Sequence, residues 1–285
     1  MTIKSIVVPL SGIGNSTHVV GAAMTLAQRF GADVLGYDAV PEPEIMVEQG
    51  AFGPVGASYS QLYEINAKLS VERRNLAKRI FEKGCREARI SASKRASSKG
   101  ASASWITTEK IEPRDIFSLA RCADLVVANV PAGNASYTDY ELLEQCIFVS
   151  AQTVLAVPGT AKKGLFGRSA IAWNGSVEAM RAVRGALPIL QLGAGADIIQ
   201  VGDAPAADAE ILVTYLRKHD LKSKVLRLKD KKRKTGELIL STAVDFGCSV
   251  LVMGAYSHSP MRELVLGGVT RYMFENTTIP LIVAH

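Results

Sequence analysis

The stretch Met253–Met273 reads MGAYSHSPMRELVLGGVTRYM, and its glycines are spaced to hold an anion. SVLVMG has the length and β-branched content of a buried strand ending at Gly254, while Gly267-Gly268-Val269-Thr270 opens an apolar-periodic helix. The segment therefore reads as strand, loop, helix amino terminus. Glycines let backbone N–H groups approach a phosphate without an intervening Cβ, and a helix start offers unpaired donors with a favourable dipole. Thr270 adds a hydroxyl. On spacing alone, a glycine-rich turn with no ligand fits the same residues about as well. His258 is a candidate proton carrier, but the motif supplies no second base, cysteine nucleophile or carboxylate beside it, so it is assigned to the site and not to catalysis. Arg262 and Arg271 are able to neutralise phosphate, although solvated arginines on a helix surface are the simpler reading. Cys85, Cys122, Cys146 and Cys248 lack a CxxC pair or metal-ligand spacing, which points to reduced, mostly buried thiols. No catalytic residue and no metal site is assigned.

The elements that position these residues emerge from an internal repeat. Lys4-Ser5-Ile6-Val7-Val8 aligns with Arg168-Ser169-Ala170-Ile171-Ala172, and Gly31-Ala32-Asp33 with Gly195-Ala196-Asp197, both at an offset of 164 and without a gap. Each copy reads as strand, small polar loop, amphipathic helix, then Gly-Ala-Asp entering a second strand. Further on, Ala123-Asp124-Leu125-Val126-Val127 matches Cys248-Ser249-Val250-Leu251-Val252 at offset 125, and Val154–Val157 matches Leu281–Ala284 at offset 127. The first copy is thus longer in its middle, where PEPEIMVEQGAFGPVG precedes a helical stretch from about Tyr59 to Ala92. The linker falls at PGTAKKGLFG, Pro158 to Gly167. Strands alternating with helices imply two domains, residues 1–158 and 168–285, each a roughly five-stranded parallel sheet with helices on both faces. The expectation is two sheets of shared topology and not one continuous large sheet, with the closing runs Thr153–Val157 and Ile279–Ala284 packed against each other through their edges. Ligands collect at the carboxyl ends of such strands, near the topological switch point.

Composition narrows the classes. The 285 residues are 48% hydrophobic, enough for two cores. MTIKSIVVPLSG lacks the pattern of a signal peptide, and no apolar run reaches the roughly 18 residues of a membrane span, so a cytosolic protein with no membrane partner is expected. Net charge is +6, with 16 basic and 16 acidic residues in 1–160 against 17 and 11 in 161–285. The densest run, KDKKRK at Lys229–Lys234, has no interleaved aromatics, so it is read as a solvated loop and no nucleic-acid partner is expected.

The segment after SVLVMG resembles the nucleotide signature of the universal stress protein family: Gly, two residues, Gly, nine residues, Gly, then Ser or Thr. Gly254, Ser257 and Gly267 occupy the three glycine positions and Gly268 the Ser/Thr position, so two of the four depart from the pattern. AWNGSVEAMRAV, Ala172 to Val183, resembles the family's first strand, loop and helix in register. The resemblance implies two tandem flavodoxin-like domains of the adenine nucleotide alpha hydrolase type. It also implies ATP or AMP, with or without Mg, in the second domain, at Ala172, Trp173, Asn174, Val201, Met253, Gly254, Ser257, His258, Gly267, Gly268, Val269 and Thr270. Asn174 stands where the family often has Asp, and Val201 where a backbone group reads the adenine edge. In the first copy PAGNASYTDYELLEQCIFVS replaces the glycine pair, and Asp139, Glu141 and Glu144 would repel phosphate, so that half is expected to bind no nucleotide in the usual way. GIGNST at Gly12–Thr17 is a weak dinucleotide-like match, better explained as the loop equivalent to Gly175-Ser176. The leading expectation is a stress-responsive regulator with a nucleotide in its second domain. An interaction or dimerisation module with both sites empty comes next, and an ATPase or nucleotidyl transferase third, since no general base or carboxylate cluster accompanies the cradle. Pairing of the two domains within the chain is expected, and a homodimer is a further option.

Overall fold

The computed structural model describes residues 2–13, 16–40, 54–91, 100–107, 118–131, 137–161, 164–202, 206–229, 232–255 and 268–285. The first half runs β1 (Ser5–Leu10), α1 (Thr17–Phe30), β2 (Asp33–Asp38), α2 (Pro54–Glu87), β3 (Ser102–Ile106), β4 (Leu125–Val130), α3 (Tyr137–Ser150) and β5 (Val154–Pro158). The second runs β6 (Ser169–Ala172), α4 (Val177–Leu190), β7 (Ala196–Val201), α5 (Ala206–Lys218), β8 (Val225–Leu228), α6 (Thr235–Asp245), β9 (Val250–Gly254), α7 (Gly268–Asn276) and β10 (Leu281–Ala284).

All ten strands join one sheet, in the order β3-β2-β1-β4-β5-β10-β9-β6-β7-β8. Each half keeps the same order about its own switch point, β1/β4 and β6/β9, as the repeat requires. The expectation of two separate sheets is corrected by the seam. There β5 and β10 pair antiparallel, Leu281 opposite Ala156, Ile282 opposite Leu155 and Val283 opposite Val154, while the pairs on either side of the seam are parallel. Two apolar closing edges left unpaired would expose rows of backbone donors and acceptors, and pairing satisfies both at once.

Both faces of the sheet are covered, so its strands are apolar on both sides. Successive residues split between two cores. Ile6, Val8, Leu125, Ile171, Val252 and Ile282 pack with α1, α2, α4 and α5, whereas Val7, Val126, Ala170, Leu251 and Val283 pack with α3, α6 and α7. Gly31 and Gly195 mark the turns into β2 and β7 with φ of 62° and 107°, conformations that explain why Gly-Ala-Asp recurs. At the amino ends of β6 and β7, Arg168 donates Nε and a terminal nitrogen to Asp197 at 2.7 Å each, a two-pronged bridge onto a buried carboxylate. In the first half Asp124 does comparable work by accepting from the N–H groups of Lys4 and Ser5 at 2.7 and 3.0 Å.

Two local expectations change. The gapless offset of 164 is not kept: through their pairing with β4 and β9, Ile6 is equivalent to Ser169, an offset of 163, and α1 begins at Thr17 where α4 begins at Val177, an offset of 160 and four short of the sequence alignment. Buried Val19, Ala23 and Ala27 correspond to Ala179, Val183 and Leu187. A slip of four residues is close to one turn, so the apolar face is preserved and the sequence alignment cannot sense it. The long helix α2 covers Pro54–Glu87 and not about 59–92, because Arg89 takes a left-handed φ of 54° and ends it.

Candidate functional site

Sheet order places the carboxyl ends of β9, β6 and β7 side by side, and the helices, running back against the strands, bring the start of α7 to the same end. Among the residues expected there, Ala172, Trp173, Asn174, Val201, Met253, Gly254, Gly268, Val269 and Thr270 are described. Ser257, His258 and Gly267 lie outside the described residues.

The loop leaving β6 is ordered by its own polar groups. The Trp173 N–H donates to the Ile199 carbonyl at 2.9 Å, extending the β6–β7 ladder by one bond. The Asn174 Oδ1 accepts from the Ser176 N–H at 3.1 Å, and the Ser176 Oγ accepts from the Ala179 N–H at 3.1 Å, capping α4. Gly175, at φ 77°, completes the turn, and a Cβ built there would stand 3.4 Å from a carboxylate oxygen of Asp208 on α5. The loop is thus held by its own hydrogen bonds, and the Asp208 carboxylate of α5 stands beside it. The Trp173 indole Nε1 is buried and meets no acceptor among the described residues, while its ring packs on the α4/α5 side.

At the end of β9 the space beside Gly254 is already filled. A Cβ there would lie 2.5 Å from the Ala179 nitrogen and 2.9 Å from the Glu178 carbonyl carbon, so this glycine admits the first turn of α4 against the strand. Met253 is 3% exposed and Thr270 4%, so both side chains are buried, Met253 within the core shared by α3, α6 and α7. Val201 and Val269 are half-buried against the same core. Gly268 differs. It is exposed at the first residue of α7, and no described atom comes within 4 Å of where its Cβ would be.

The first half closes the corresponding place in two ways. Gly12, at φ 65°, lies beneath α2, where a Cβ would fall 2.1 Å from the Arg73 carbonyl oxygen. The position matching Gly254 at offset 125 is Asn129, whose Oδ1 accepts from His18 Nε2 at 2.9 Å. The same nitrogen lies 3.1 Å from the Val157 carbonyl. A carbonyl only accepts, so the Nε2 proton is fixed and shared between the two oxygens. Asn129 and His18 went unnoticed in the sequence, although writing the offset through to residue 254 would have revealed the Gly-to-Asn change. Among the described residues no cluster of three His, Cys, Asp or Glu is poised for a metal, and no helix is long and apolar enough to cross a membrane.

Comparison with known proteins follows the same division of the chain. The universal stress protein family model matches residues 190–285. No curated protein sequence matches the chain. Solved structures of similar fold include a universal stress protein from Archaeoglobus fulgidus DSM 4304, 15% identical with a TM-score of 0.64, covering 99% of this chain and 96% of that one. A protein of unknown function from Pseudomonas aeruginosa PAO1 is 12% identical, TM-score 0.56, over 99% and 92% of the two chains. The cytoplasmic domain of a prokaryotic cation chloride cotransporter is 13% identical, TM-score 0.50, over 99% and 96%. These likenesses extend over both halves and concern the fold. Residues 190–285 thus match the universal stress protein family, and the first half shares the strand order of the second.

Proposed function

We propose that the second half binds an adenine nucleotide, ATP or AMP, at the carboxyl ends of β6, β7 and β9, and that occupancy serves a regulatory role in a stress response and not turnover. The observation that carries this reading is Gly268: an exposed helix amino terminus with no Cβ and no described atom within 4 Å of where one would be, at the switch-point end of a parallel sheet. Asn174 spends its acceptor on the loop, which leaves the Asp208 carboxylate as the group beside Gly175 suited to ribose hydroxyls or, with ATP, to an accompanying Mg. Ser257, His258 and Gly267 belong to the same reading as groups on the phosphate side. The first half, with Arg73 over Gly12 and Asn129 in the glycine position, binds none.

A second reading, an interaction module with both sites empty, draws on the β5–β10 seam, which already uses the fold for pairing. Calorimetry with ATP, AMP and ADP on the full chain and on Gly268→Asp separates the two. Asp is well tolerated at a helix start and meets no described atom there, so the variant should melt no lower than wild type. Its charge should nonetheless weaken binding at least tenfold. Equal affinity in the two proteins removes the phosphate from Gly268, and no heat with any nucleotide leaves the module reading.

A further inference from the structure

Residues 217–234 hold ten Lys or Arg and two Asp, a surplus of eight in a chain whose total is +6. The positive excess of the protein is thus concentrated in the stretch of sequence that contains β8. Strand β8 is the outermost strand, and among the described residues none lies beyond it. The Lys222, Lys224 and Leu228 carbonyls accept from the Ala196, Ile198 and Gly202 N–H groups of the β7 side. Since a strand residue sends its N–H and C=O out on the same side, those of Ser223, Val225 and Arg227 point away from the sheet. Lys222, Lys224, Arg227, Lys229, Lys232, Arg233 and Lys234 are all exposed along and just past this row.

Lysines on an edge strand often serve only to keep it from pairing. That reading does not account for the distribution here. The opposite edge, β3, reads SASWI with no charged residue, so the fold does not depend on charge to guard an edge. The surplus also continues through Lys229–Lys234, beyond the last β8 residue. A second copy is an unsuitable occupant because its β8 carries the same charge. We propose that β8 is a docking edge for an extended acidic segment of another protein, which adds a strand beside Val225 and Arg227 while its carboxylates meet the flanking lysines. Backbone pairing supplies the geometry and charge supplies the selection.

The test is fluorescence anisotropy on the full chain with a labelled eight-residue peptide of alternating Glu and Val. Comparison probes are the Lys-Val counterpart, the Glu-Val peptide N-methylated at alternate residues, a 20-mer of deoxythymidine, and vesicles rich in phosphatidylserine. Binding of the Glu-Val peptide at least tenfold tighter than of each comparison probe is expected. It should weaken as salt rises and fall at least tenfold in the double variant Lys222→Glu, Lys224→Glu, whose exposed positions leave the fold intact, as a melting curve will verify. No binding shows that the cations merely solvate the edge. Equal binding of the N-methylated peptide removes strand addition. Tighter binding of the oligonucleotide or the vesicles assigns the edge to a different partner, and each of these three results overturns the proposal.

Discussion

Cys146 faces the core between α3 and the sheet, and burial pushes its thiol up from about 9 to about 12. Burial raises Cys85, on the inner face of α2, to about 11, and drives the Tyr37 hydroxyl higher still. Between pH 9 and 12 the folded chain retains protons that the unfolded chain has released, so stability must fall as pH rises through that window. Urea unfolding at pH 8, 9, 10 and 11 should show the decline beginning near 9. In Cys146→Ala the starting stability should be lower by about 1–2 kcal/mol, from lost packing, and the decline shallower. An identical slope in the two proteins would sink the assignment to this thiol. At this scale the sequence spoke unevenly. It marked Gly254 as special, but a glycine that admits a neighbouring helix and one that admits a phosphate look alike in a string of letters. The difference is the Ala179 nitrogen 2.5 Å from the missing Cβ. Met253 and Thr270 likewise match a signature while their side chains are buried.

Helices carry the information that repeats conceal. Because α1 and α4 present the same apolar stripe after a four-residue slip, the pattern fixes which face is buried without fixing where the helix starts. Loop chemistry decides that: Ser176 caps α4 with its Oγ, whereas Ser16 before α1 makes no side-chain cap. Two helical glycines expose the same distinction between pattern and packing. Gly21 on α1 is exposed with no described atom within 4 Å of a Cβ, whereas at Gly84 on α2 a Cβ would lie 2.3 Å from the Val20 Cγ1. Gly21→Ala should therefore stabilise the protein by roughly 0.5–1 kcal/mol through helix propensity alone. Gly84→Ala should cost about 1–3 kcal/mol, because a stiff β-branched neighbour outweighs the same propensity gain. Chemical denaturation of both variants checks the pair, and a gain at Gly84 would mean that α2 can withdraw from α1 cheaply.

Across the whole molecule the repeat was legible and its union was not. Strand periodicity and the offsets 164, 125 and 127 yield two equivalent five-strand orders, and the closing runs were expected to meet. That meeting is hydrogen-bonded strand pairing, which fuses the orders into one sheet of ten. Edge pairing depends on backbone groups, which every residue carries, so no side-chain motif announces it. The seam is self-complementary: Leu155 and Ile282, equivalent at offset 127, lie directly opposite each other. Residues 1–160 and 161–285 expressed separately should each self-associate or precipitate through the freed closing strand, and mixing them should restore a 1:1 complex. Light scattering on each piece and on the mixture is the measurement. Two well-behaved monomers that ignore each other would show that the seam contributes little.

A contact of this symmetry between separate chains obliges both partners to be identical, so any change is made twice and whatever one site gains the other gains with it. Joined by a single backbone, the halves can drift independently while their union survives any dilution. Asn129 at the position of Gly254, and the long α2 whose Arg73 carbonyl lies over Gly12, are changes that such freedom permits.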